Sequence, residues 1–375
     1  MFCLSGRMIE VFINEGPAMT TSLLERITAT RRKLIQYGTL MGVGATSLIK
    51  SGDVKASVFD GKAAAGLNPA LPTMRYQTLG RTGHNSSRLI FGCGATLSGG
   101  RQDHLLNAAF DAGVNTFDVG FQHYYSDAEK NLAPFLQKHR DDIFLISKAL
   151  VPSKIEWDEV ITVSQAKAAA QGWLKYMDES LTELKQDHVD AYYFMGQNNV
   201  STIQSEEMHR AFEQAKAQGK VDYLGLSTHQ NAENVLTAAI ETKQFDLAMI
   251  AITPGGWYDW NDRSILDGSP KMNDLRPLLD KARAAGMGLI GMKAGRFLAG
   301  RKWLGWGNPD VFNKYYDRPL LEAKLSEFQR SYAFVLEHGL DAVNADMQTM
   351  QHLTENFTAA ATSADYFADQ IANTA

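Results

Sequence analysis

Two residues of opposite charge mark the chemistry of this chain. Asp118 ends the run Asn115-Thr116-Phe117-Asp118, and Lys148 ends the apolar run Ile143–Lys148. A lysine carried at the end of a buried strand needs a carboxylate partner, and such a paired cation lowers the pKa of an adjacent phenol. His123, Tyr124 and Tyr125 lie on the loop just after Asp118. A tyrosine tuned in this way gives a proton to a carbonyl or takes one from an alcohol. The bland alternative is a buried ion pair that only closes the top of a fold.

The surrounding elements must bring Asp118 and Lys148 together. Short strands are expected at Met74–Leu79 and Ser87–Phe91, around the turn-rich Gly80–Asn85, the first as half of a hairpin lid. The second leads into Gly92-Cys93-Gly94, where bare backbone admits a ligand. Helices are then expected at 103–112, 127–138, 164–184, 205–218, 231–242, 275–285 and 318–338. Strands are expected at 114–118, 143–148, 189–195, 221–227, 246–252, 287–293 and 340–345. Repeated strand–helix units imply a parallel sheet with helices outside it. Eight units, with no Gly-x-Gly-x-x-Gly step, favour an α/β fold of the closed (β/α)8 TIM barrel type, with an N-terminal β-hairpin. Asp118, Lys148, Ser227 and Lys293 then fall at the C-terminal strand ends, where barrel sites lie.

Several segments in this order resemble the aldo-keto reductase family. Met74–Gly83 resembles its opening hairpin. Asn115–Asp118 followed by Ala128-Glu129 resembles its Asp strand and Ser-Glu step, and Ile143–Lys148 its Lys strand. Gly225-Leu226-Ser227 resembles its Gly-x-Ser-Asn strand, and Glu355-Asn356 its late adenine-contacting pair. The similarity covers about Met74 to Ala360. It implies catalysis by Asp118, Lys148, a Tyr and a His. Ungapped spacing puts His123 at the Tyr position; a one-residue adjustment selects Tyr124, with Tyr125 the neighbouring choice.

The resemblance also implies NADP, or NAD, as cofactor, held by Ser227, Thr228, Lys293, Gly295, Arg296, Glu355 and Asn356. Lys293 and Arg296 bring charge to the loop Lys293–Gly300, where barrels commonly bind phosphate. The pattern departs from the family at the His after Asp190–Phe194, which is Met195, and at the Asn after Ser227, which is Thr228. On the sixth strand Met249 and Ile252 replace a Gln and a Tyr. Met195 donates no hydrogen bond, so a carbonyl must be oriented by Gln197, Asn198 or His123, while Ile252 covers a nicotinamide without stacking. The aromatic segments Trp257–Trp260 and Trp303–Trp306 suit a sugar-like substrate. Substrate contacts are therefore expected from His123, Met195, Gln197 and Trp257.

Composition narrows the field. The chain has 375 residues, 45% hydrophobic and 21% charged, with net charge −5 and dispersed basic residues, which argues against a nucleic-acid partner. Its two cysteines, Cys3 and Cys93, cannot build an iron–sulfur cluster or a cysteine zinc site, and no metal is expected.

The N-terminus reads as an address. Thr30-Arg31-Arg32-Lys33 precedes the weakly apolar run Tyr37–Ile49 and a Val54-Lys55-Ala56 cleavage site, the order of a twin-arginine signal. The run is shorter than the ~20 residues of a membrane span. Expected are a signal region over 1–56 (with Met19 as the alternative start), a linker over 57–73 and a barrel over 74–375. The partners are the Tat translocase during export and a small carbonyl or alcohol, and the compartment is the periplasm. The leading reading is an NAD(P)-dependent oxidoreductase. A noncatalytic nucleotide- or sugar-binding barrel and a non-redox enzyme such as an isomerase stand against it, and turnover separates them.

Overall fold

Apolar strands and amphipathic helices alternate along the chain and close into a ring. The computed structural model describes residues 71–299 and 307–367. The signal region, residues 57–70 of the linker, and Gly300, Arg301, Trp303 and Trp306 lie outside the described residues. A small hairpin opens the fold, pairing β1 (Tyr76–Thr78) with β2 (Asn85–Ser87) antiparallel.

Eight parallel strands follow: β3 (Leu89–Gly92), β4 (Thr116–Asp118), β5 (Phe144–Leu150), β6 (Val189–Met195), β7 (Val221–Thr228) and β8 (Leu247–Thr253), then, after the extra strands β9 (Gly256–Asp259) and β10 (Ser264–Ile265), β11 (Gly288–Met292) and β12 (Ala342–Asp346). Their order is β8-β11-β12-β3-β4-β5-β6-β7, and β7 pairs with β8 to complete the barrel. Helices such as Ala128–His139, Val163–Leu184 and Glu206–Ala217 cover the outside. Among the described residues no helix is long and apolar enough to cross a membrane.

Strand periodicity sorts the core into two layers. Along β8, Leu247, Met249 and Ala251 pack into the barrel interior with Ile90, Ile146, Tyr193 and Ile290. Ala248, Ile250 and Ile252 pack outward, beneath the helices. Ile252 therefore does not face the mouth, contrary to its expected place over a nicotinamide.

The hairpin closes the end of the barrel away from the site. Leu79 is fully buried in the interior layer, and Arg81 donates to Asp246 at 2.6 Å, just before β8 begins. Gly80 has φ +49°, and a Cβ there would lie 2.4 Å from the Gly286 carbonyl oxygen and from the Gly288 nitrogen. Only glycine fits so close an approach.

Three expected elements differ. The strand foreseen at 87–91 is divided between the hairpin and the barrel. The helix foreseen at 318–338 breaks into Arg318–Glu322 and Glu327–Glu337, because Ser326 and Gln329 form a capping box that starts a new helix. Gly92-Cys93-Gly94 is no ligand loop: Cys93 begins the helix Cys93–Leu97, and protein side chains fill the space beside both glycines.

Candidate active site

Asp118 is the last residue of β4, and Lys148 lies two residues beyond its register partner Ile146 on β5. Lys148 Nζ donates to both carboxylate oxygens of Asp118 at 2.6 Å and to the Val119 carbonyl at 2.7 Å. All three ammonium protons thus have acceptors. Both side chains are about 5% exposed. Burial pushes the Asp118 carboxyl up, and Lys148 together with an amide from Asn344 opposes that shift.

The short helix Gln122–Tyr125 carries the three candidate proton donors. Successive helical residues point about 100° apart, so they cannot all face the lysine. His123 turns to Glu179, with Nε2 and Oε2 2.8 Å apart, and its side chain is half exposed. Tyr125 packs against Gly94 and Gly120, where a Cβ would come within 3 Å of its ring. Lys148 Nζ lies 5.6 Å from the Tyr125 ring centroid. Tyr124, the residue selected from spacing, meets Tyr125 edge-on at 4.8 Å. The ring of Tyr125 thus lies beside the lysine.

The expected substrate contacts fare differently. Met195 is 5% exposed and packs in the outer core layer. Gln197 is buried, and its Oε1 accepts from Asn199 N at 3.0 Å. Asn198 Oδ1 accepts from Thr228 Oγ1, His229 N and Gln230 N, so it holds a turn. Trp257 is 2% exposed and faces the helices opposite Ile252, with its indole nitrogen 3.4 Å from Glu233. It is therefore core and does not line the mouth. Its neighbour Tyr258 points the other way, into the barrel interior beside Met249 and Met292.

The expected cofactor residues cluster at two places. Ser227 Oγ accepts from Gly196 N at 2.9 Å, which ties the ends of β6 and β7. The Thr228 hydroxyl is engaged with Asn198 and the Gln230 carbonyl. Lys293 takes a left-handed φ of 70° after β11 and sets its ammonium 5.0 Å from the Trp260 ring centroid. Burial lowers its pKa, against the pull of Asp346. Gly295 packs on Phe328, and Arg296 is exposed. Farther round, Glu355 lines a groove of about 440 Å³ with Gln329, Met350, Gln351, Thr354 and Thr358. Asn356, the next residue on that helix, is turned inward and 7% exposed.

Two residues of this face were not found by sequence reasoning. His229 lies 5.0 Å from Trp260, ring to ring, and burial with the nearby Lys293 and Lys148 holds its imidazole neutral, its pKa lowered to about 3. The second, Asn344, donates through Nδ2 to Asp118 Oδ2 at 2.6 Å. Its signal was present: two residues after the inward-facing Ala342, strand alternation sends it into the barrel. Behind Lys148, the fully buried Glu129 accepts from Ser147 Oγ at 2.6 Å, and burial raises its pKa to about 7.

Known proteins share this architecture. The model of the aldo/keto reductase family matches residues 94–294. The uncharacterized oxidoreductase YqkF of Bacillus subtilis (strain 168) is 28% identical over 168 residues, which are 41% of this chain and 49% of that protein. The chain thus spans about half the length of the curated relative it matches. A putative aldo-keto reductase from Pseudomonas aeruginosa is 20% identical at TM-score 0.53, covering 77% of this chain and 94% of that one. An aldo-keto reductase from Klebsiella pneumoniae, solved with NADPH, is 18% identical at TM-score 0.54, covering 76% and 89%. These two likenesses concern the fold. The family model spans more than half of the sequence and includes both members of the buried ion pair, and the chain belongs to the aldo/keto reductase family.

Proposed function

We propose that this protein is an NAD(P)-dependent oxidoreductase that interconverts a small carbonyl and its alcohol by hydride transfer. The observation that carries this reading is the Lys148 ammonium, held by Asp118 and set 5.6 Å from the Tyr125 ring. In the reducing direction Tyr125 gives its hydroxyl proton to the carbonyl oxygen as hydride reaches the carbonyl carbon, and an alcohol results. Lys148 stabilises the phenolate left behind, and Asp118 keeps Lys148 in place. A sugar-like substrate remains part of the proposal, carried by the part-exposed ring of Trp260 beside Lys293.

A nicotinamide dinucleotide, when bound, supplies or accepts the hydride. The residues present fit such a group in two respects. Lys293 is a partly buried cation whose close neighbour is the Trp260 ring, which suits a phosphate. The groove beside Glu355 has room for a base. The NADPH of the Klebsiella protein supports this choice of cofactor. Ser227, Thr228, Gly295, Arg296 and Asn356 complete the proposed holding set. We also propose export to the periplasm through the Tat translocase, on the strength of Arg31-Arg32 and the apolar run after them.

The test is nicotinamide oxidation, followed by absorbance, with a panel of aldehydes, ketones and open-chain sugars. Turnover that vanishes in Tyr125→Phe supports the reading. Tight nucleotide binding with no turnover on any carbonyl or alcohol would replace it with a binding role.

A further inference from the structure

The Asn344 side chain reaches across a neighbouring strand to touch Asp118. β12, β3 and β4 are consecutive in the barrel wall. Asp346 is opposite Gly92, and Gly92 is opposite Asp118. Asn344, two residues below Asp346, passes over Gly92 on its way. A Cβ on Gly92 would lie 2.7 Å from Asn344 Oδ1 and 2.9 Å from the Ala345 carbonyl. The bare backbone at Gly92 is therefore the passage the amide uses, which gives that glycine a reason unconnected with any ligand.

The hydrogen-bond chemistry fixes which way the amide faces. An ionised carboxylate only accepts, so the nitrogen of Asn344 must point at Asp118. Nδ2 lies 2.6 Å from Asp118 Oδ2 and 3.4 Å from Met249 Sδ on β8. Both amide protons are thus directed, one to each side of the barrel. Asp118 Oδ1 accepts a hydrogen bond from Lys148, and Oδ2 accepts one from Lys148 and one from Asn344. Lys148 alone would leave the carboxylate plane free to swing about it. With Asn344 as a second donor from a different strand, the plane is set.

We propose that Asn344 is a positioning residue: reaching over Gly92, it fixes the Asp118 carboxylate and so the point at which Lys148 presents its charge to Tyr125. Its consequence for turnover rests on the oxidoreductase reading; its effect on Asp118 does not. Asp118 sits in a buried mouth, where desolvation favours its neutral form, and the amide proton favours the charged one. The other titratable groups acting on or sensing Asp118 are Lys148, Asp346, Cys93, Tyr193 and Lys293. None of them is a neutral donor in contact with Oδ2.

The experiment reads Asp118 without turnover. Carboxyl infrared difference titration against Asp118→Asn follows its protonation in the wild type, Asn344→Leu, Asn344→Ala and Asn344→Gln. In Asn344→Leu the proton affinity of Asp118 should rise about tenfold, a shift of one pKa unit. In the same variant kcat should fall at least tenfold at an unchanged KM for nucleotide, with the acid limb of the pH profile moved to higher pH. Asn344→Gln keeps the amide and should recover part of both effects. If Asn344→Leu does not fold, Asn344→Ala, which only removes atoms, takes its place. An unchanged Asp118 titration in a folded variant overturns the proposal, whether or not a substrate has been found. A shifted titration in a protein that oxidises no nicotinamide leaves Asn344 in its role and overturns the oxidoreductase reading instead.

Discussion

The ring of Tyr125 lies 5.6 Å from the Lys148 ammonium, whereas Tyr124 meets that ring edge-on at 4.8 Å. The two phenols should therefore separate cleanly on mutation. Tyr125→Phe is expected to lower kcat by about 100-fold or more, the usual scale for loss of a positioned general acid. Tyr124→Phe should lower it by less than about tenfold, through packing against Tyr125. Steady-state rates on one carbonyl substrate decide the matter, and the opposite ranking would return the role to Tyr124.

Lys148 is a structural residue as well as a chemical one. Its removal strands Asp118 as a buried carboxylate with one donor fewer from each oxygen. Breaking such a pair from one side costs about 3–5 kcal/mol. Lys148→Met should therefore lose both turnover and stability in urea unfolding. The double variant Asp118→Asn with Lys148→Met should regain most of the stability and none of the activity. A double variant as unstable as the single one would mean that the ion pair is not what Lys148 contributes.

Glu129 supplies a pH test of the layer behind the site. Its pKa is raised from 4.5 to about 7, chiefly by burial. Between those values the folded chain holds a proton that the unfolded chain releases, so stability is greatest below pH 4.5 and falls as pH rises through 7. The shift corresponds to at most about 3 kcal/mol. Glu129→Gln imitates the protonated form and keeps a partner for Ser147. Melting temperatures of the two proteins should agree near pH 5 and diverge by pH 8, with the Gln variant higher. Parallel curves across that range would show that Glu129 titrates normally.

Much of this was legible in the sequence, for reasons that also explain the failures. β6 spans the expected residues, Val189–Met195, because its apolar run is bounded by clear turn residues. Asp118 and Lys148 were found because a charge ending a buried strand is costly without a partner. The orientation of Tyr124 against Tyr125 was not legible, since a single helical turn can sit on its support in several ways. Trp257 was misread as a site residue because the chain doubles back after Thr253, and pairing with Ile252 turns the indole to the helices. The Thr228 hydroxyl is engaged by Asn198, thirty positions away, a contact no local pattern announces.

The final prediction joins the address to the site. Arg31 and Arg32 precede a short apolar run, and the twin-arginine route carries proteins that have already folded. On the proposed export, a nicotinamide cofactor, not expected to be free in the periplasm, would travel inside the barrel. That requires slow release, and Lys293 is the residue placed to provide it: a partly buried cation beside Trp260 gains from a phosphate that replaces its lost hydration. A cofactor held this tightly is not exchanged in each cycle. On the same proposal it would be oxidised by a carbonyl and reduced again in place by an alcohol. Changing both arginines to lysine should trap the precursor in the cytoplasm, as read by fractionation and immunoblot. Exported wild-type protein should keep near-stoichiometric nucleotide through gel filtration, while Lys293→Ala should lose it and regain turnover only when nucleotide is added. Wild-type protein that elutes free of nucleotide and binds it no better than micromolar would sink the co-export idea, and undiminished export of the double-lysine variant would remove the twin-arginine route.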